Sequence, residues 1–180
     1  MENYNALHTD YYQLNMMQTY FNKGLHEKRG VFDMFFRKLP FGNGFAVFAG
    51  LEEILDYLEN LKFTESDLEY LKEKSFGEEF LNLLRDFKFQ GNVYSVKEGE
   101  IVFPNEPLLT IEGTIFEAML VETAILNIFN HETLIATKAA RIREVSGNKT
   151  LAEFGARRAH GFGSALRGTR ATYIGGFDGT

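Results

Sequence analysis

One segment constrains this chain more than any other: an apolar run from Ile115 to Val145 with helical spacing and no breaker. Ile115, Phe116, Met119, Leu120, Ile125, Leu126, Ile128, Phe129, Leu134 and Ile135 fall on more than one face of such a helix. A helix that is apolar nearly all round must be covered on several sides. Thr114 and Glu117 open it as a capping box, and Gly147-Asn148 closes it. The rest of a 180-residue chain is expected to be too small to surround it. The segment is interrupted by charge, so it does not qualify as a membrane span, which needs about 18 uncharged apolar residues.

The residues before it alternate between helix and strand signals. Thr9–Phe21 reads as a short helix with Thr9 or Asp10 as N-cap, and Val31–Arg37 as a strand. LPFGNGFAVFAGL then turns into a helix at 51–60, with Leu51, Ile54, Leu55 and Leu58 on one face. Thr64 with Asp67 opens a third helix, and Phe80, Leu81, Leu84 and Phe87 line a fourth at 77–87. From residue 92 the period changes. Turns at Glu98-Gly99 and Pro104-Asn105 divide three short antiparallel strands at 92–96, 100–103 and 107–112. After the long helix, Leu151–Gly155 reads as a buried strand, a second helix begins after Gly163, and residues 175–180 form a glycine-rich loop. The fold class is therefore α+β. A helical and β-strand N-terminal domain spans 1–113, and 114–180 hold the long buried helix together with the strand, helix and loop after it.

Charge is divided unevenly. Residues 1–137 carry 11 Lys/Arg against 22 Asp/Glu, whereas residues 138–180 carry 8 against 3, six of the eight being Arg. The net charge of −6 argues against bulk binding of nucleic acid or an anionic membrane. The guanidinium-rich tail suits a phosphate or carboxylate ligand; the bland alternative is a solvated basic face. There is no cysteine, hence no disulfide, thiolate metal site or cysteine nucleophile. The start, MENYNALHTD, lacks a secretory pattern, and a soluble cytoplasmic protein is the plain reading.

Two pairs of motifs resemble the nicotinate phosphoribosyltransferase family: TDYYQLNM (9–16) with FFRKLPFGNGFAVFAGL (35–51), and EFGARRAHG (153–161) with YIGGFDGT (173–180). Between them, 98–142 resembles the strand pair and core helix of type II phosphoribosyltransferases. The resemblance implies that 114–180 begin an α/β barrel completed beyond Thr180. It also implies a reaction in which nicotinate and phosphoribosyl pyrophosphate give nicotinate mononucleotide and pyrophosphate, with ATP and Mg²⁺, in a homodimer. The family's phosphohistidine would lie beyond Thr180, and His8, His26, His131 and His160 match no such motif. These 180 residues alone are therefore expected to be inactive.

Carried onto this sequence, Tyr12 matches a tyrosine that packs on the pyridine ring from the neighbouring subunit. Phe154 matches an aromatic that sandwiches the ring in the related nicotinamide enzymes. Arg157 and Arg158 match strand-end arginines facing the base carboxylate and the phosphates. Asp178 lies in the GGFD loop near the site. The residues also allow plainer roles: Tyr12 and Phe154 as core aromatics, and His160 as a helix-start residue. Arg157 and Arg158, adjacent on a strand, would face opposite sides, so one would pair with Glu153 or the end of the long helix. Arg167 and Arg170, three apart on a helix, read as solvated or dimer-facing. No metal site is assigned. Two other readings stay open: another type II phosphoribosyltransferase, for nicotinamide or for quinolinate, and a non-enzymatic α+β domain that docks a partner on the long helix.

Overall fold

The computed structural model describes residues 5–39, 42 and 44–180; Pro40, Phe41 and Asn43 of the LPFGNG turn lie outside the described residues. Among the described residues six helices are joined by two small sheets, as the α+β reading expects: α1 Tyr11–Asn22, α2 Leu51–Asn60, α3 Glu65–Glu73, α4 Glu78–Arg85, α5 Ile115–Ser146 and α6 Phe162–Ile174. The strands are β1 Arg29–Met34, β2 Ala46–Val47, β3 Asn92–Ser95, β4 Ile101–Val102 and β5 Leu109–Thr114.

Helix starts track local chemistry closely. The Thr64 hydroxyl accepts from the Asp67 N–H at 3.2 Å, while Asp67 accepts from the Thr64 N–H at 2.8 Å. Thr114 and Glu117 repeat the arrangement at α5, with 3.2 and 2.7 Å. Each box satisfies orphan N–H groups reciprocally. Asp10 is the residue before α1, as expected, but its side chain does not cap. Its carboxylate instead accepts the Thr123 hydroxyl at 2.9 Å, tying α1 to α5.

The three strands predicted after residue 91 do not form one meander. β5 is central, antiparallel to both β1 and β3. β4 leaves to pair with β2. The cause is the Gly99 turn at φ +84°, which brings Gly99 N–H onto Phe48 O at 2.8 Å and Glu100 O under Phe48 N–H at 3.0 Å.

α5 crosses the whole molecule. At about 1.5 Å per residue its 32 residues run about 48 Å. Its first half is enclosed by this chain alone: Phe116, Met119, Leu120, Ile125, Ile128 and Phe129 are buried against α1–α4 and the larger sheet. Farther along, α6 packs beside it. Gly168 faces Ile135, and Gly175 faces Ala136 and Ala139. Among the described residues no helix is long and apolar enough to cross a membrane.

Leu151–Gly155 is not a buried strand. Only Ala152 forms a bridge, parallel to Gly179, and Phe154 is 69% exposed. Glu153 turns its carboxylate onto the Gly155 N–H, and a 3₁₀ turn comes next at Ala156–Arg158. That local bond competes with ladder pairing and ends the extended run.

Candidate functional site

α6 organises one group of the expected site residues. Before it come Phe154 and the 3₁₀ turn with Arg157 and Arg158; after it comes the Gly175–Thr180 loop. Asp178 N–H donates to Leu151 O at 2.9 Å and Glu153 N–H to Gly179 O at 2.8 Å, so the two flanks meet. Phe154, Arg157, Arg158 and His160 are exposed on this surface.

The arginine geometry departs from the strand reading. In a 3₁₀ turn neighbouring side chains point about 120° apart, not to opposite faces. The expected ion pair with Glu153 is absent: that carboxylate is taken by Gly155 N–H and by the Thr169 hydroxyl at 3.4 Å. Among the described residues neither Arg157 nor Arg158 forms an ion pair. Phe154 is not a core residue either.

Asp178 binds within the chain. It accepts from the Leu151 N–H at 2.8 Å and from Arg143 at 2.5 Å. These two bonds, the backbone one first, hold its carboxyl below the usual aspartate range. Arg143 also donates to Gly176 O at 2.6 Å and Lys149 O at 2.7 Å. The GGFD loop is thus clamped to the end of α5.

Tyr12 belongs to a different place. It lies on α1, 53% exposed, so it is not one more core aromatic. Its phenol oxygen accepts from the Gln13 amide at 3.1 Å, and that amide also donates to Glu122 at 2.6 Å. Glu122 and Arg143, which anchor the two groups, are 21 residues apart on α5, about 30 Å along the helix.

The expectation that Arg167 and Arg170 are solvated or dimer-facing is overturned. Arg167 bonds Glu53 at 2.5 Å. Arg170 bonds Glu98 at 2.6 Å, Glu132 at 3.3 Å, and Glu52. Glu98 also accepts the Gly50 and Leu51 N–H groups at 2.7 and 3.0 Å, capping α2 from across the fold. Gly50 itself needs to be glycine, at φ +107° and with Ile128 Cγ2 3.2 Å from where a Cβ would stand. Burial pushes Glu98 up, but bonds from Arg170, Gly50 and Leu51 outweigh it and hold the carboxyl low. Glu132 is fully buried; burial, and then a hydrogen bond with Glu53, push it up to about 8. The one sequence signal for this cluster was Glu132, a carboxylate inside the apolar run.

No group of three His, Asp or Glu side chains that could hold a metal occurs among the described residues. Asp178 is committed to Arg143 and Leu151, and the acids around Arg170 are committed to it. These residues do not fit Mg²⁺.

Comparison with known proteins places the chain. Residues 7–130 match the family model described as nicotinate phosphoribosyltransferase (NAPRTase) N-terminal domain. Nicotinate phosphoribosyltransferase of Bacillus subtilis is 56% identical over 176 residues, which are 97% of this chain and 36% of that protein. The crystal structure of human nicotinic acid phosphoribosyltransferase superposes with a TM-score of 0.88 at 34% identity, over 94% of this chain and 35% of the human one. That of nicotinate-nucleotide pyrophosphorylase from Pyrococcus furiosus gives 0.76 at 29%, over 97% and 37%. The chain spans about a third of the length of these relatives. With its family model covering well over half of it, the chain belongs to the nicotinate phosphoribosyltransferase family.

Proposed function

We propose that this chain supplies part of a nicotinate site in an enzyme that joins nicotinate to phosphoribosyl pyrophosphate. The products are nicotinate mononucleotide and pyrophosphate, with ATP hydrolysed alongside. The observation that carries the reading is exposure where burial or pairing would be ordinary. Two aromatic rings, Tyr12 and Phe154, and two guanidinium groups without ion pairs among the described residues, Arg157 and Arg158, are turned outward at the motif positions.

A flat pyridine ring bearing a carboxylate calls for that set. Stacking on an aromatic face adds about 0.5–1.5 kcal/mol beyond area burial. A guanidinium fork meets the carboxylate bidentately. Because Arg157 and Arg158 point in different directions, one serves the nicotinate carboxylate and the other the phosphates. Pyrophosphate departure leaves positive charge at the anomeric carbon and adds negative charge to the leaving group, which preorganised cations stabilise. The chain's own part is to bind, orient and neutralise. Asp178 acts indirectly, by fixing the loop beside these residues.

Tyr12 and the Asp178 loop are anchored at stations about 30 Å apart along α5. As the family resemblance implies, the enzyme is a homodimer in which Tyr12 of one copy covers the ring held by Phe154 of the other. The proposal further divides the chain at 113/114, with 114–180 leading into an α/β barrel. The phosphohistidine and the ATP and Mg²⁺ sites are placed outside these 180 residues, and the enzyme in the cytoplasm.

The test is Tyr12→Ala in a protein of the relatives' length. The nicotinate KM should rise about tenfold, in line with a lost ring contact, with a smaller change for phosphoribosyl pyrophosphate. Mixing Tyr12→Ala with Arg157→Ala should restore part of the activity, since one site of each mixed dimer is intact. Equal effects on both substrates, or no recovery, would sink the reading.

A further inference from the structure

Gln13 is out of place on its helix. Its neighbours Tyr11 and Tyr12 are each 53% exposed, yet Gln13 is 2% exposed. A buried primary amide costs free energy unless its hydrogens are bonded. Both hydrogens are used, one on Glu122 of α5 at 2.6 Å and one on the Tyr12 phenol oxygen at 3.1 Å.

Consecutive residues on a helix do not ordinarily face one another. For the Tyr12 phenol to reach the amide of residue 13, its ring must lie across the helix rather than extend freely from it. A bond at the tip of a side chain with two torsions fixes both. The amide that makes this bond is itself held by a carboxylate on the long core helix, through a short charge-assisted contact. Glu122 polarises the amide and strengthens its second bond. The adjacent residue on α5 secures the same turn: Thr123 accepts the Asp10 N–H at 3.2 Å and donates to its carboxylate at 2.9 Å. The Tyr12 phenol accepts from Gln13, so its own hydrogen stays available to a group outside the chain.

We infer that Gln13 and Glu122 are positioning residues for nicotinate binding: the Glu122–Gln13–Tyr12 chain of hydrogen bonds fixes the orientation of the Tyr12 ring. The inference rests on the proposed role of Tyr12 as a face for the pyridine ring. It adds that the face is aimed from the core, through two residues that do not touch substrate.

The experiment uses the full-length protein with Gln13→Met, which keeps length and apolar packing but cannot donate, and Glu122→Gln, whose amide oxygen still accepts. Gln13→Met should raise the nicotinate KM about tenfold, the usual scale for a lost buried hydrogen bond, with kcat and the phosphoribosyl pyrophosphate KM within about twofold. Glu122→Leu, which cannot accept, should match Gln13→Met, and Glu122→Gln, which accepts without the charge, should fall between Gln13→Met and the parent. A Glu122→Leu variant with the parent's nicotinate KM would overturn the inference. Tyr12→Phe should match Gln13→Met, and the double variant Gln13→Met/Tyr12→Phe should be no worse than either, because both cut one chain. Multiplying effects in the double variant would overturn the inference. A second readout is the fluorine resonance of 3-fluorotyrosine placed at position 12, which should shift or broaden in Gln13→Met. An unchanged resonance overturns the inference alone. A Tyr12→Ala variant with unchanged nicotinate KM overturns the ring-face reading instead, whatever the resonance does.

Discussion

The two halves of α5 are held by different forces. From Ile115 to Phe129 the helix is set in a large apolar cluster rich in Phe, with Phe116 against Phe80 and Phe87 at 6.0 Å each and Phe129 against Phe48 at 5.9 Å. Beyond it, a second cluster buries Val47, Ala49, Ala136 and Ala171, with Phe45, Ile135, Ala140 and Ile174 half-buried against them. So small a cluster gives less hydrophobic stabilisation than the first at about 25 cal/mol per Å². Polar groups complete the second half. Thr137 and Thr133 accept the Val47 and Ala49 N–H groups at 2.9 and 3.2 Å, and Arg170 gathers three carboxylates beneath α6. The first half is anchored by area and the second by geometry and charge. Phe154, Arg157, Arg158 and Asp178 all ride on the second.

Paired substitutions should expose the contrast. Phe80→Ala removes a ring that is 1% exposed and should cost about 4 kcal/mol. Arg170→Met leaves the mostly buried Glu98 carboxylate without its cation and the buried Glu132 without its donor, and should cost about 3 kcal/mol. The totals are similar, so urea midpoints alone will not separate them. Amide hydrogen exchange will: Phe80→Ala should speed exchange across α3, α4 and α5 together, whereas Arg170→Met should free α6 before α3 and α4. Equal acceleration of α3 and α6 in Arg170→Met would break the comparison.

A smaller effect is expected at Gly175, where a Cβ would lie 2.5 Å from both Ala136 O and Ala139 Cβ. Neither is the end of a flexible side chain, so Gly175→Ala must push α6 off α5. The cost should be about 2 kcal/mol, typical of overpacking, with the exchange change confined to α6 and the 175–180 loop. An unchanged melting temperature would mean that the helices are not in such close contact.

The same division decides what could be read from the residues. Capping boxes at Thr64 and Thr114, and the apolar faces of α2 and α4, are local patterns, and the helices begin within a residue or two of where those patterns put them. The pairing of β2 with β4 is two residues long and joins positions more than fifty apart, so no local pattern marks it. Arg170 finds Glu98 72 residues away, and on its own helix it looks like any solvated arginine. The 151–155 strand failed because one side chain, Glu153, satisfied the Gly155 N–H locally. Tyr12, Phe154, Arg157 and Arg158 were legible as motif positions, but their exposure and the Gln13 bond needed coordinates. Asp178 was legible as a loop residue, while its bond to Arg143 was not.

The smallest expected effect is a pH dependence that belongs to the second half alone. Glu132 keeps its proton in the folded chain up to about pH 8, against an ordinary carboxyl value of 4.5. Below pH 4.5 both states hold that proton and its contribution is constant. As pH rises toward 8 the unfolded chain loses it and the folded chain does not, so stability falls by up to about 1.4 kcal/mol per pH unit. Above about 8 both states are ionised and the decline ends. The other groups around Glu132 act in different windows. Glu98, held low, stabilises above its ordinary value and loses that contribution only as pH falls below 4.5. His8, lowered by burial and then by Arg167, adds stability as pH rises to about 6.5 and nothing more beyond it. Arg170 on α6 is raised above its ordinary value, first by its hydrogen bond with Glu98, and keeps its charge throughout. Between pH 6.5 and 8 the slope therefore reports Glu132, and it should amount to about 1.5 kcal/mol. Glu132→Gln replaces the protonated carboxyl with a neutral amide of the same shape, which can donate to Glu53 and accept from Arg170. Its stability, measured by urea unfolding at each pH, should be nearly flat across that window, and α6 amides should lose their pH-dependent protection with it. A Glu132→Gln variant that keeps the parent's slope would show that the proton is not there, and the second half of α5 would then be held by pairing of full charges.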